Sequence, residues 1–319
     1  MLPQIIESRP SVPFGVEIEL NSFGSAENAG DGKVPGMYEV AFVVNKACRD
    51  RVFVSKWCNN HHNNYWVVKP DSSCGMELCS PVLKGWYGIS KIFKAIESLR
   101  EDERVESDSR CSFHVHFDVS SFSEKELLSI ICWWIKLESF FLDAMPANRK
   151  VNPYCRIIAQ SGIVDDLSCS YDLNYFIEKL GRSKYHTLNT FHYYHNRRKT
   201  IEFRIMDNLC CLNPKSACCW VSLLDHFIQR SISYGLPRPF ASGDCYSSYC
   251  WLGPIDSFDF LGFSSQNNLC RKTSLVRSWL VNRLAVYGKN YLDCGIFSKA
   301  LRSSCYDEIL SLQESFRGK

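Results

Sequence analysis

Phe14-Gly15-Val16-Glu17-Ile18-Glu19-Leu20 is the stretch from which the rest of the chain can be read. Apolar and acidic residues alternate in it. It therefore reads as a β-strand with Val16, Ile18 and Leu20 on one face and Glu17 and Glu19 together on the other. Two carboxylates so close repel, and neither stays ionised without help from a shared divalent cation, an arginine or open water. Alone, the segment is equally an edge strand with a solvated acidic face. Three later segments repeat its design, with chemically capable side chains set into an apolar strand, and that repetition favours the cation.

The first repeat is Met76-Glu77-Leu78-Cys79-Ser80-Pro81, where Glu77 projects opposite to Met76 and Leu78 and a proline closes the strand. The second is Cys111 to Val119: Phe113, Val115, Phe117 and Val119 form one face, and His114, His116 and Asp118 the other. One histidine there would be an ordinary structural residue, but two imidazoles and a carboxylate on one face are harder to dismiss, and at least one of them reads as a candidate ligand or catalytic group. The third is Thr200 to Asp207, with Ile201, Phe203 and Ile205 on one side and Glu202, Arg204 and, after a bend, Asp207 on the other. Arginine beside glutamate reads either as a plain surface pair or as phosphate-binding donors next to a metal ligand.

Between these strands the chain alternates helices, loops and further strands. Residues 1–13 read as a tail kept irregular by Pro10 and Pro13, and 21–36 as a loop. Residues 37–44 and 51–54 have strand-like composition and are expected to pair as a hairpin; 57–64 is a polar turn, and 65–69 a strand ended by Pro70. Residues 71–75 form a turn and 87–100 a helix. Ser123 with Glu126 predicts a capping box for a helix reaching about Ala144, with Trp133, Trp134, Phe140 and Phe141 as core. The basic stretch 145–156 reads as an irregular loop, facing either solvent or a phosphate, and 172–180 as a short helix ended by Gly181. Asn213 caps and Pro214 opens a long helix to Tyr234, stopped by Gly235. Residues 237–268 are loop-rich, and 275–287 and 297–312 predict two terminal helices. Strands with interspersed helices imply an α+β fold, a large, mostly antiparallel sheet backed by helices. No GxGxxG follows the first strand and no GxxxxGK[ST] occurs, so a nucleotide would be held in some other way.

The chain has 319 residues, enough for one large core or two smaller ones, and its 22% charged content and net charge of +3 do not call for nucleic acid. The first eleven residues lack the apolar core of a signal peptide, and no apolar run reaches transmembrane length. Seventeen cysteines, an odd count set largely in apolar stretches, are most simply free thiols in a reducing cytoplasm, which makes a cytoplasmic location the expectation. Cys58, His61, His62, Cys74 and Cys79 lie close in sequence, but no CxxC pair anchors a zinc site and His61-His62 reads as a polar turn.

Collected, the polar strand faces offer Glu17, Glu19, Glu77, His114, His116, Glu202 and Arg204. Carboxylate-rich sets suit hard Mg²⁺ or Mn²⁺ rather than zinc alone, such ions carry substrate phosphates, and an arginine completes a clamp on a phosphoryl group. The segments at 14–20 and 111–116, Trp66 to Asp71-Ser72 with Glu77 and Ser80-Pro81, Arg149 with Asn152-Pro153-Tyr154-Cys155, Lys184-Tyr185 with Asn189, and Thr200-Ile201-Glu202-Phe203-Arg204 together resemble the amidoligase family. That family stands in the carboxylate–amine ligase superfamily with glutamine synthetase and glutamate–cysteine ligase. The resemblance spans about residues 14–235.

The resemblance implies a glutamine-synthetase-like catalytic domain with a curved sheet over 14–235, preceded by the 1–13 tail and followed by a segment of loops and helices, 236–319, packed on it. It implies catalytic roles for Glu17, Glu19, Glu77, His114, Glu202 and Arg204. The metal ligands would be Glu17, Glu19, Glu77, Glu202 and a histidine of the His114–His116 strand, His114 being favoured and His116 retained. Arg149, Lys184, Asn189 and Arg204 would contact the nucleotide, while the terse 71–77 turn leaves Asp71 as a structural residue. The cofactors would be ATP and Mg²⁺, with Mn²⁺ as the alternative. The partners would be an amino-acid or peptide carboxylate and an amine acceptor, which a protein or peptide could supply; no membrane is implied. The implied reaction joins the two through an acyl phosphate. A catalytically inactive ligase fold used as a scaffold, or a metal-dependent hydrolase, are the rival readings.

Overall fold

The computed structural model describes residues 10–23, 34–56, 64–158, 172–237, 254–263, 274–288 and 304–317. Seven strands run β1 Phe14–Asn21, β2 Val52–Val54, β3 Trp66–Asp71, β4 Gly75–Cys79, β5 Phe113–Asp118, β6 Leu188–Asn189 and β7 Thr200–Phe203. They form one sheet in the order β2-β3-β4-β1-β5-β7-β6. β1 lies antiparallel between β4 and β5, β3 and β4 are antiparallel, and β2 pairs parallel with β3. The fold is α+β with a mostly antiparallel sheet, as the alternation of elements implies.

By compactness the described residues form two units, those within 10–118 and 202–221 in the first and those within 119–201 and 222–317 in the second. In the first, Phe14, Val16, Ile18 and Leu20 are all buried, so one apolar face of β1 enters the core as its alternation predicts. Helices α1 (Met37–Cys48) and α2 (Gly85–Glu101) pack together, and α1 also lies against β2 and β3. The Lys91 ammonium of α2 fastens the end of α1, donating to Cys48 O at 2.5 Å and to Asp50 at 2.7 Å.

Here the structure corrects the reading of 37–44 as a strand. Met37, Val40, Ala41, Val44 and Cys48 are the buried residues of α1, and they recur at helical spacing. The β-branched composition suggested a strand, but packing of the i, i+3, i+4, i+7 stripe decided for a helix. With α1 helical the expected hairpin does not form, and β2 instead finds β3. β3 also runs through Pro70, which faces Met76 of β4 in register. The β2–β3 pairing covers only Trp66 to Val68, so the amide hydrogen that Pro70 lacks is not needed on that side. The β3–β4 turn is closed by Asp71, whose Oδ1 accepts from Ser73 N at 2.7 Å. Gly75 follows with φ +126°, where a Cβ would also lie 2.5 Å from Ser22 N, so both conformation and space require glycine.

In the second unit α3 (Glu124–Asp143) begins with the predicted Ser123–Glu126 capping box. Trp134 stacks on Phe141 with centroids 4.9 Å apart, Phe141 meets Phe227 edge-on at 5.8 Å, and Phe140 meets Phe258 at 5.6 Å. Trp133 is only half-buried, its indole donating to Gly235 O at 2.7 Å. The basic stretch after α3 contains a short helix, α4 (Ala147–Lys150), and is less irregular than expected. α5 (Leu173–Gly181) is capped by Asp172, and a further short helix, α6 (Phe191–Tyr194), precedes β7. α7 (Pro214–Tyr234) starts where Asn213 accepts from Ser216 N and stops at Gly235 in the left-handed region.

Within the stretch read as loop-rich, Pro254–Phe260 is a helix, α8, with Phe258 and Phe260 buried. α9 (Ser274–Tyr287) and α10 (Ser304–Arg317) are the terminal helices. The turn at 57–63 with Cys58, His61 and His62, and the first part of the predicted 297–312 helix, lie outside the described residues. Among the described residues the structure has ten free, buried cysteines, and no helix is long and apolar enough to cross a membrane.

Candidate active site

The polar side of the first unit's sheet is assembled by register. Glu17 lies opposite Cys79 on one side and His114 on the other, while Glu19 lies opposite Glu77, which in turn faces Lys69. Two cross-strand rows result: Cys79–Glu17–His114 and Lys69–Glu77–Glu19. Residues directly opposite across an antiparallel pair carry their Cβ atoms about 5 Å apart, so each row is a line of interacting heads. At the β7 end, Glu202 and Arg204 complete the face; Arg204 lies just past the strand, where Asp207 still bridges to Ser112.

The heads converge. His114 Nδ1 is 3.4 Å from both Glu17 Oε2 and Glu202 Oε1, and its Nε2 is 3.6 Å from Glu19 Oε1. His116 Nε2 is 3.2 Å from Glu17 Oε1 and 3.8 Å from Glu202 Oε1. Arg204 pairs with Glu202 Oε1 and approaches His114 Nδ1 at 3.4 Å. Ser112 Oγ donates to Glu19 Oε2 at 2.7 Å and lies 2.8 Å from His114 Nε2. A hydroxyl has one proton to give, so with Ser112 donating to Glu19 its oxygen is left to accept from His114 Nε2, while His114 Nδ1 lies 3.4 Å from Glu17 Oε2.

Electrostatics differentiates Glu17, Glu77 and Glu202. Burial opposes ionisation of Glu17, but the His116 charge and hydrogen bonds from both histidines outweigh it and hold its carboxyl well below the usual range. Glu202 is likewise opposed by burial, and Arg204 and then His116 bring it down to about 2. Burial works against a charged His116, yet Glu17 and Glu202 raise its pKa above the ordinary value. Glu77 is pushed up to about 8, first by burial and then by Glu17, against the pull of Lys69, whose Nζ is 3.4 Å from its Oε1.

Burial works against the Lys69 ammonium too, but Glu77, Cys79 and Glu17 together hold its pKa above the usual lysine range. The Glu17 carboxylate adds to Glu77 in keeping Lys69 charged. Cys79 donates to Glu77 Oε1 at 3.1 Å, and burial followed by the Glu77 charge keeps it a thiol.

Two groups of three ligand atoms lie within 4.8 Å of one another: Glu17, His116 and Glu202, and Glu17, Glu77 and Cys79. Two carboxylates and an imidazole suit Mg²⁺ or Mn²⁺, whereas a thiol in the second group is a softer donor. The structure thus brings together Glu17, Glu19, Glu77, His114, His116, Glu202 and Arg204, and it is His116 rather than His114 that joins a compact ligand group. Asp71 closes its turn. Arg149, Lys184 and Asn189 belong to the second unit. There Arg149 is buried on α4, Lys184 is exposed with its ammonium 5.5 Å from the centroid of the Tyr185 ring, and Asn189 accepts from Phe191 N and donates to Lys184 O.

Lys69, Ser112 and Cys79 were not singled out for this site by sequence. Ser112 and Cys79 could have been found as the same-face neighbours, two residues away, of His114 and Glu77. Lys69 carried no such signal, since Val67 and Val68 before it suggest a strand buried on both faces.

Among curated proteins none matches the chain. Among solved structures, a bifunctional glutathione synthetase from Pasteurella multocida is similar at 12% identity and a TM-score of 0.40, over 98% of this chain and 52% of that one. The chain therefore spans about half the length of that structure. A family model described as "Putative amidoligase enzyme" matches residues 10–210. The matched span takes in Glu17, Glu77, both strand histidines and Arg204, and on that match the chain belongs to the amidoligase family.

Proposed function

We propose that this protein is an ATP-dependent ligase joining a carboxylate to an amine through an acyl phosphate, built on a glutamine-synthetase-like catalytic domain. The observation that carries the reading is the convergence of four carboxylates, two imidazoles and one guanidinium on one face of one sheet, held there by strand register. Rigid strands place such groups more accurately than loops do. Glu17, Glu202 and His116 would hold a divalent cation, with Glu19, Glu77 and His114 around them as the resemblance implies. A bound cation would supply neutralisation of charge on phosphate oxygens.

Arg204 would present its remaining guanidinium donors to the phosphoryl group while Glu202 fixes its orientation. Ser112 would hold both Glu19 and the His114 ring in place. The reaction begins with attack of the substrate carboxylate on the γ-phosphorus of ATP, releasing ADP; the amine then displaces phosphate. Arg149, Lys184 and Asn189 remain nucleotide contacts within this proposal, and an amino acid or peptide with an amine partner remains the substrate class.

The test is release of ADP and phosphate by chelator-treated protein resupplied with Mg²⁺ and offered amino acids or peptides with amine acceptors. Turnover that needs carboxylate and amine together, with a product of the condensed mass, is expected. ATP hydrolysis indifferent to the amine would return the protein to the hydrolases, and absence of Mg²⁺-dependent ATP binding would leave a scaffold.

A further inference from the structure

Lys69 is 5% exposed at its side chain, yet nothing in the chemistry above uses it. Its placement is set by the sheet: β3 pairs with β4 so that Lys69 faces Glu77, and Nζ comes within 3.4 Å of Glu77 Oε1. The Cys79 thiol donates to that same oxygen at 3.1 Å. Glu77 Oε1 therefore already receives an ammonium and a thiol. Glu77 and Cys79 are two members of the Glu17–Glu77–Cys79 group, whose ligand atoms are close enough to share an ion.

The other group, Glu17–His116–Glu202, differs. Arg204 touches Glu202 there, but a guanidinium is a flat fork, whereas the lysine ammonium is a compact point charge.

We infer that the Lys69 ammonium stands in for a divalent cation at the Glu17–Glu77–Cys79 group, so that without nucleotide the chain takes one divalent cation at this face rather than two. The inference rests on the metal-binding part of the proposed function and adds a positioning role for Lys69: it holds Glu77 where a second cation otherwise would.

The test is titration of the metal-free, nucleotide-free full chain with Mn²⁺, followed by calorimetry and electron paramagnetic resonance. The wild type should bind one Mn²⁺ with an isolated-ion spectrum. Lys69→Met should bind two and show the spin coupling of a close pair, while Lys69→Met combined with Glu77→Gln should return to one. If Lys69→Met does not fold without metal, recovery of its fold should require two equivalents of Mn²⁺, and failure to recover with Mn²⁺ overturns the inference. Two ions in the wild type, or one in a folded Lys69→Met, also overturn it while leaving the proposed function standing. No ion in either protein overturns the inference together with the nucleotide-free metal site it rests on, and Mg²⁺-dependent ATP binding then decides the proposed function separately.

Discussion

Glu202→Gln keeps the shape of a side chain at the centre of the cluster and removes its charge. Glu202 Oε1 faces Arg204, His114 Nδ1 at 3.4 Å and His116 Nε2 at 3.8 Å. Burial would raise its pKa, but Arg204 and His116 win and bring it from 4.5 to about 2. Such a shift corresponds to about 3 kcal/mol of differential interaction. Because the folded-state value is depressed, this stability is fully present above the unfolded value and is lost as pH falls through the folded one. Metal-free Glu202→Gln should therefore be less stable than the wild type by up to about 3 kcal/mol at pH 7, a drop in Tm of roughly 5–10 °C. At pH 3 the gap should close to about half.

The assay is a thermal melt followed by circular dichroism in chelator at both pH values. The sequence alone argues the reverse: clustered carboxylates repel, so deleting one charge should leave the fold unharmed or slightly improved. An unchanged or higher Tm at pH 7 would show that Arg204 and His116 do not hold Glu202, and would refute the electrostatic account of the cluster. The same substitution should weaken Mn²⁺ binding by more than the about 10–100-fold that follows loss of an outer-shell partner.

Other outcomes follow from single contacts. Arg204→Lys should lower ATP turnover by about 100-fold or more, because a point charge cannot reproduce the fork that bridges Glu202 to a phosphoryl group, whereas Glu97→Gln, which breaks only a 4.0 Å surface pair with Arg100, should leave turnover unchanged. Thr187→Val removes both the acceptor for Trp134 Nε1 at 3.1 Å and a donor to the buried Glu138; urea unfolding should show a loss of about 2–4 kcal/mol. His186 is pushed down to about 4, by burial and then by Arg156, so the folded state resists its protonation. Wild-type stability should accordingly fall as pH drops from 6.5 toward 4, and His186→Gln should flatten that stretch of a urea-midpoint profile.

What the sequence determined by itself is what depends on neighbours a few residues apart. The alternation of β1 and β5, the Ser123–Glu126 cap, and the Asn213–Pro214 start and Gly235 stop of α7 all appear in the structure, because each is settled by contacts within about one turn or one pleat. The same period of two put Glu17 with Glu19 and His114 with His116 before any fold was known.

Where local composition and local spacing disagreed, as at Met37–Cys48, the helix followed the stripe that could be buried against α2 and the sheet. The tertiary structure alone decided register: that Lys69 faces Glu77, that Ser112 reaches Glu19 across 93 residues, and that Glu202 joins residues 10–118 in one compact unit. No local pattern encodes these, since pairing partners far apart in sequence are chosen by the burial of whole faces, and a slip of one residue would turn every one of these side chains to the other side of the sheet.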